Sequence, residues 1–492
     1  MHASPDHDYI ASYESAAAQL LADPNNRDLQ HGAVLALARA GALDFARSEY
    51  DRLGLGGVKD HEDIMSLGAR LEKDLFLRGG PAANDHASRS ATLYEAAFDA
   101  TGGYYSGVNA ATMALMAGLP DNIVKARAKA IRDALPVLSV TKPQEQYYTR
   151  ATLAETYLMS GDRPRAVQAL QNAVDYDPLN YAAHATTLKQ FRMIAGRQGQ
   201  QVDWLDDFTP PRAVHFAGHI FTPETDEDTL AIALSDIIQA RDIGFGYGAL
   251  AAGSDILVAE ALIEEGAELH VVLPATVDDF VAESVRPYGD NWQARFDACL
   301  EAASSVSVLA GLPSWPDPRA NRYSGRVAMG RAIMRSQMLC AQTGQLLIYN
   351  ENAGGSYTGA HVSDWTRKPR AQFIVPFPEY EKKPAAKAIP PLDCRFTVHS
   401  DEVTEYSAAQ LAAALKKGVA QSAGLVVTAG LAGLAVQSGP IDALRAVVKP
   451  GQILLSEEAA CLLAFEAVPE LSITYAGLSG DGLRVYSAGL TG

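Results

Sequence analysis

Two periods of hydrophobic residues divide this chain of 492 residues. Through residues 1–205 apolar positions recur at helical spacing, alanine is abundant and β-branched runs are few, which predicts one helix after another. From residue 206 to residue 380 short apolar runs alternate with helical stretches. RAVHFAGHIF (212–221) reads as a strand with its turn, and a strand opening at 243 before a turn at 246–255, then 271–273, SVSVLA (305–310), QLLIY (345–349) and AQFIVP read as further strands. Helices are expected at 227–240, after 254, at 292–303 and at 326–343. Such alternation predicts a mostly parallel sheet with helices on both faces. Residues 381–492 read as a small α+β unit, with a strand at 394–403, a helix at 408–422 and a strand–turn–strand at 424–437. A further strand and helix and two closing strands follow. Pro-containing segments, DDFTPPR (206–212) and EKKPAAKAIPP (381–391), separate the three. The expected fold class is multidomain: a helical arm (1–205), an α/β domain (206–380) and a small α+β domain (381–492).

Within the arm, residues 147–180 place Ala154, Tyr157, Gly161, Ala166, Leu170, Ala173 and Pro178 where a tetratricopeptide repeat needs them. Small residues sit where two helices cross, Gly161 makes the turn, and Pro178 stops the second helix. A looser copy carries Gly41, Ala46 and Tyr50. Asp63, Ile64, Lys73 and Asp74, then Tyr94, Phe98, Tyr104, Tyr105, Gly107, Asn109 and Ala110, resemble the helical region of bacterial tetratricopeptide proteins. More distantly they resemble the TRAF-binding region of the apoptosis signal-regulating kinases. The resemblance implies protein contact or domain positioning. Stacked repeats offer an extended face for either. Tyr104, Tyr105 and Asn109 are candidates for a partner groove, with core packing as the other reading.

The chemistry concentrates in residues 243–274, a strand, a glycine-rich turn, a helix and a strand. Gly246, Gly248 and Gly253 permit sharp turns and close approach of a ligand. Ser254 and Asp255 stand where the helix should start, with Ser254 as its cap. A helix N-terminus behind such a turn offers unpaired N–H groups and partial positive charge to a phosphate. The other reading is a tight turn that binds nothing. The spacing is neither GxGxxG nor a P-loop. Gly218, this turn, and Gly354, Gly355 and Gly359 all follow strands, so they are expected to converge beyond the strand ends.

FAGH (216–219), GSDILVAEALIEEGAELHVVLP, Phe280, Ser284, Val285, Trp292, Phe296 and GGSYTGA with Trp365 resemble the SLOG superfamily. These are Rossmann-like domains related to DprA and the Lonely-guy phosphoribohydrolases, and the nearest likeness is to forms fused to tetratricopeptide repeats in bacterial signalling and conflict proteins. The resemblance implies binding of a nucleotide or nucleotide-derived ligand. The Lonely-guy pattern PGGxGTxxE is absent. AGGSYTGAHVSDW keeps glycines and Thr358 but has no Glu at the matching place, which argues against phosphoribohydrolase activity. The ligand candidates are Gly218, His219, Gly246, Gly248, Gly253, Ser254, Asp255, Gly354, Gly355 and Thr358. His219 is a candidate donor to a phosphate or a turn histidine bonded to backbone. Asp255 either accepts from a ribose or, the favoured reading, steadies the helix N-terminus. Glu260 reads as a solvated helix residue, with a general-base role as the alternative. One of Arg319, Arg322, Arg326 and Arg331 is a candidate for phosphate contact; solvated helix-end charge is the reading for the others. His215 and His219 are spaced about 13 Å apart along an extended strand, too far to share a metal. No metal site is expected and no catalytic residue is assigned.

At the C-terminus, KPGQILLSEEAACLL (449–463) and YAGLSGDGLRVYSAG (475–489) are similar to the end of class III nucleotidyl cyclase domains. RFTVHSDEVTEYS holds Asp401 and Glu402 without the family's surrounding pattern, and LVVTAGLAGLAV lacks the second metal Asp. The resemblance implies a degenerate, non-catalytic cyclase-like module for dimerisation or regulation, with an unrelated α+β cap as the alternative.

A net charge of −17 argues against nucleic-acid coats and anionic membranes as partners. Cys299, Cys340, Cys394 and Cys461 are far apart and form no CxxC pair, which suggests a reducing compartment. Without a signal peptide or an apolar run of ~20 residues, a cytoplasmic location is expected. The reading that joins these features is a signalling or defence-type protein. Its central domain senses a nucleotide or anionic metabolite, and its repeats engage a protein partner. A homodimer is a further expectation, and no other cofactor is expected. The alternatives are a nucleotide-processing hydrolase or transferase, and a non-catalytic scaffold.

Overall fold

The computed structural model describes residues 7–136, 142–220, 226–350, 357–376, 392–400, 403–419, 424–432, 434 and 438–490. The arm consists of α1 (Tyr9–Ala22), α2 (Arg27–Arg39), α3 (Leu43–Arg52), α4 (Glu62–Arg78), α5 (Ala83–Thr101), α6 (Tyr104–Met116), α7 (Asp121–Ala134), α8 (Pro143–Met159), α9 (Arg163–Tyr176) and α10 (Tyr181–Arg197). Helices α2, α4, α6, α8 and α10 touch in succession, each paired with a neighbour, as stacked TPR-like hairpins do. The repeat at 147–180 shows why. Ala154, Ala166 and Ala173 are fully buried where α8 and α9 cross. Gly161 turns the chain at φ +81°, a conformation that glycine adopts without strain. Asp162 and Asn180 then cap α9 and α10 by accepting backbone N–H groups.

The α/β unit contains β1 (Arg212–Gly218), α11 (Glu227–Ala240), β2 (Ile243–Gly248), α12 (Ser254–Glu264), β3 (Glu268–Leu273), α13 (Val277–Ser284), α14 (Asp290–Ala302), β4 (Ser305–Val308), α15 (Pro318–Leu339), β5 (Thr343–Tyr349), α16 (Tyr357–Trp365) and β6 (Ala371–Pro376). Its six strands lie in the order β4-β3-β2-β1-β5-β6, and every neighbouring pair is parallel. The chain winds outward from β1 to β4 and then crosses back to β5 on the other side of β1. The order therefore reverses between β1 and β5, and in open α/β sheets the crevice that takes a ligand lies beyond the C-terminal strand ends at such a reversal. Strand β1 is buried along its interior, which explains its mainly apolar sequence, with His215 as the polar exception. Helices α11, α12 and α14 cover one face through Leu230, Leu234, Ile256, Leu262, Trp292 and Phe296.

Helix α15 covers the other face. It begins at Pro318, two turns before the expected 326, because Asp317 accepts the Arg319 N–H and Pro318 is preset for the first turn.

The last unit contains β7 (Cys394–His399), β8 (Val403–Tyr406), α17 (Ala408–Val419), β9 (Leu425–Leu431), α18 (Ser438–Val447), β10 (Ile453–Ser456), α19 (Glu457–Glu466), β11 (Leu471–Leu478) and β12 (Arg484–Leu490). Its sheet is mixed, in the order β11-β12-β10-β9-β7-β8, with β9 and β10 parallel. The strand expected at 394–403 is the hairpin β7–β8. Of the strand–turn–strand expected at 424–437, the first strand is β9; residues 433 and 435–437 lie outside the described residues, and α18 starts at Ser438.

The two sheets share a core. Phe245 and Tyr247 of β2, Val327 of α15, Leu463 of α19 and Tyr486 of β12 belong to one buried apolar cluster. Helices α15 and α19 cross closely at Gly330, where a Cβ would collide with the Cys461 backbone. Tyr323 Oη donates to Glu458 Oε2 at 2.7 Å, and Arg331 pairs with Glu457 at 2.8 Å. The arm touches this body at both ends. Gln452 Nε2 donates to the Ala40 carbonyl at 2.7 Å, and Lys189 Nζ donates to that of Met338 at 3.2 Å.

Candidate functional site

The reversal between β1 and β5 directs attention to Gly218 and His219, where β1 ends. Three elements meet here. The Gly218 N–H donates to Asp255 Oδ1 of α12 at 3.0 Å. The Gly218 carbonyl accepts from Thr358 Oγ1 of α16 at 2.6 Å. The His219 carbonyl accepts from the Ser254 N–H at 3.2 Å. Gly218 is required for this approach, because a Cβ there would overlap the Ser254 side chain. Gly218, His219, Ser254, Asp255 and Thr358 are thus brought together. Gly354 and Gly355 lie outside the described residues.

The glycines of β2 do other work. A Cβ on Gly246 would strike Leu262 of α12, and one on Gly248 would strike Phe216. Both let α12 and β1 pack tightly. Gly253 adopts φ +91° and is itself the N-cap of α12. Ser254 is the first helical residue and not the expected cap. Its Oγ is fully buried and has no hydrogen-bond partner among the described residues.

Asp255 accepts the Ala251 N–H at 3.2 Å as well as that of Gly218. Its carboxyl group therefore clamps the 249–253 turn to the end of β1. Burial pushes its pKa up to about 7, against the two N–H bonds, which favour the charged form. His219 is also buried, stacks on Tyr349 and accepts the Asn350 N–H on Nε2 at 3.2 Å. That bond fixes the tautomer with the proton on Nδ1. Burial holds its pKa below the ordinary histidine value, so the ring is neutral at pH 7.

Deeper along α16 lies a polar cluster that strand-end reasoning did not find. Thr358, His361 and Asp364 follow at intervals of three residues, which puts them on one buried face of the helix. Asp364 is fully buried and accepts from both Arg322 and Arg326, with N–O distances of 2.7–2.9 Å. Despite its burial, the two guanidinium groups hold its pKa down to about 2. His361 lies against Gly325 and meets His215 edge-on at 5.4 Å. Burial lowers both histidines, His361 to about 4. Each of the four candidate arginines has an acidic partner, since Arg319 pairs with Asp317 and Arg331 with Glu457. Arg326 and Arg331 are buried and are not solvated helix-end charges. Glu260 is paired as well, with Arg295 at 2.6 Å. Among the described residues no group of three His, Cys, Asp or Glu is placed to hold a metal. Asp401 and Glu402 lie outside the described residues.

With this geometry in place, comparison with known proteins adds one family. Residues 7–114 match the family model described as Tetratricopeptide Repeats-Sensor. No match was found among curated proteins. Among solved structures, a thermophilic TPR protein from Thermus thermophilus is 12% identical with a TM-score of 0.30, over 37% of this chain and 90% of that one. An O-GlcNAc transferase variant from Thermobaculum terrenum is 11% identical with a TM-score of 0.18, over 63% of this chain and 50% of that one. Both superpositions are too loose to bear on function.

Proposed function

We propose that the protein is a cytoplasmic signalling protein whose α/β domain senses a nucleotide or nucleotide-derived anion and whose repeats carry the response to a protein partner. One observation carries this reading: the end of β1 and the N-termini of α12 and α16 meet at the β1–β5 reversal. Helix N-termini carry partial positive charge, and two of them beside one strand end favour an anion there. The buried Ser254 hydroxyl adds a polar group that has no hydrogen-bond partner among the described residues.

Helix α15 supplies a route for the signal. Arg322 and Arg326 near its start hold α16 through Asp364. The middle of α15 packs on α19, and α10 of the arm lies against it as well. A ligand that shifts α16 would therefore bias the setting of both flanking units, provided it binds one setting better than the other. In this reading the C-terminal unit is a non-catalytic relay or dimerisation module.

Thermal-shift measurements against a nucleotide panel test the proposal. The expected result is a raised melting temperature with at least one nucleotide, lost in Gly253→Val and Ser254→Val and reduced in His219→Ala. If no nucleotide raises the wild-type melting temperature, the domain is a scaffold. Turnover of a nucleotide, detected by chromatography of the products, would make it an enzyme.

A further inference from the structure

Among the described residues, one guanidinium group of the arm has no carboxylate paired with it. Arg39 is the last residue of α2 and is half-buried. Its guanidinium lies over the Tyr9 ring at 5.8 Å, and among the described residues it has no ion pair and no hydrogen bond. The charged and titratable groups facing it from other elements are Tyr9 of α1, Arg70 and Asp74 of α4, Tyr105 of α6 and Tyr148 of α8. Two guanidinium groups thus share one carboxylate. Arg70 Nε stands 3.4 Å from Asp74 Oδ2, and the Nε hydrogen makes no hydrogen bond. The neighbouring ions are already satisfied. Lys73 donates to Asn109 and Gln190 at 2.9 and 3.0 Å, and Glu155 accepts from Thr112 and Gln190.

We propose that the seam of α1, α2, α4, α6 and α8 binds a phosphate group of a small metabolite between Arg39 and Arg70. An arginine withdrawn from water without an anion is costly, and an incoming phosphate would remove that cost. The guanidinium fork matches phosphate oxygens, and tyrosine hydroxyls are good donors to the remaining ones. Burial raises Tyr9, and raises Tyr148 to about 12, so both keep their protons at pH 7. The chain's charge of −17 opposes anions at long range, so the attraction must be local. The place also matters. The carbonyl of the next residue, Ala40, accepts from Gln452, and a Cβ on Gly41 would strike Ser487 of β12. A phosphate here would therefore bind where the arm meets the C-terminal sheet.

A purely structural Arg39, stacked on Tyr9 and placed at the helix dipole, predicts no response to anions. The test is a thermal titration of the full chain with inorganic pyrophosphate at ionic strength held constant with sodium chloride. Wild type should show a saturable rise in melting temperature. Arg39→Gln should fold with a melting temperature no lower than that of wild type in the absence of pyrophosphate and bind it about tenfold more weakly, as loss of one charge-assisted contact implies. Arg39→Lys should be intermediate, and Ser254→Val should keep the whole response. Absence of a rise in wild type overturns the proposal. So does a rise that Arg39→Gln retains, and one retained there but lost in Ser254→Val belongs to the α/β crevice.

Discussion

Replacing Gly218 with alanine probes the meeting point of β1, α12 and α16 directly. The new Cβ would fall on the Ser254 Cβ and lie 2.6 Å from its Oγ. Overpacking of this kind costs about 1–3 kcal/mol. Relief requires the start of α12 to move away, which breaks the 3.0 Å bond from the Gly218 N–H to Asp255. A buried bond to a carboxylate contributes about 1.5–3 kcal/mol. Gly218→Ala should therefore lose roughly 3–5 kcal/mol, a large part of the ~5–15 kcal/mol typical of a domain. Adding Ser254→Gly removes the obstructing atoms and leaves Ile348 O at 3.1 Å as the nearest neighbour. The double variant should recover about 2 kcal/mol relative to additivity. Urea unfolding read by tryptophan fluorescence suits the test, because Trp292 and Trp365 are fully buried in this unit. A Gly218→Ala variant within about 0.5 kcal/mol of wild type, or no recovery on adding Ser254→Gly, would refute the argument for close contact.

Other outcomes follow from neighbouring groups. Asp364→Ala leaves Arg322 and Arg326 without their shared carboxylate in the interior and should cost about 3–5 kcal/mol in the same unfolding assay. Gly330→Val drives a side chain into the Cys461 backbone, so limited proteolysis should release the C-terminal unit faster than in wild type. Asp255 has a folded pKa near 7, above its ordinary 3.8, so its contribution is complete below about pH 4 and is lost as pH rises through 7. Asp255→Asn removes that dependence. Its stability relative to wild type should improve by about 2–3 kcal/mol between pH 5 and pH 8, at ~1.4 kcal/mol per unit; a difference that stays flat with pH would contradict the burial of that carboxyl.

Much of this architecture could be read from the chain. The hairpin at 147–180 was legible because Gly161 and the small alanines state a helix crossing in local terms. The α/β alternation was legible because short, mainly apolar runs such as those of β1, β3 and β5 alternate with helical stretches. The candidate site was legible in part. Strand ends and glycines pointed to Gly218, Ser254 and Asp255, but the roles depended on distant partners. Gly246 and Gly248 serve packing against Leu262 and Phe216, which no local pattern reveals. The burial of Arg326 and Arg331 depends on α16 and α19, which lie more than thirty residues away in sequence. The 3-residue spacing of Thr358, His361 and Asp364 was the available signal for the polar face of α16. The shared core of the two sheets left no local trace, because α15 and α19 contribute ordinary apolar residues to it.

The central claim is that one anion binds where β1, α12 and α16 meet. Calorimetric titration of the full chain with the nucleotide that most raises its melting temperature tests it most directly. The account predicts one ligand per chain at this place in wild type, lost in Ser254→Val and kept in Arg39→Gln. Equal binding by wild type and Ser254→Val would contradict it.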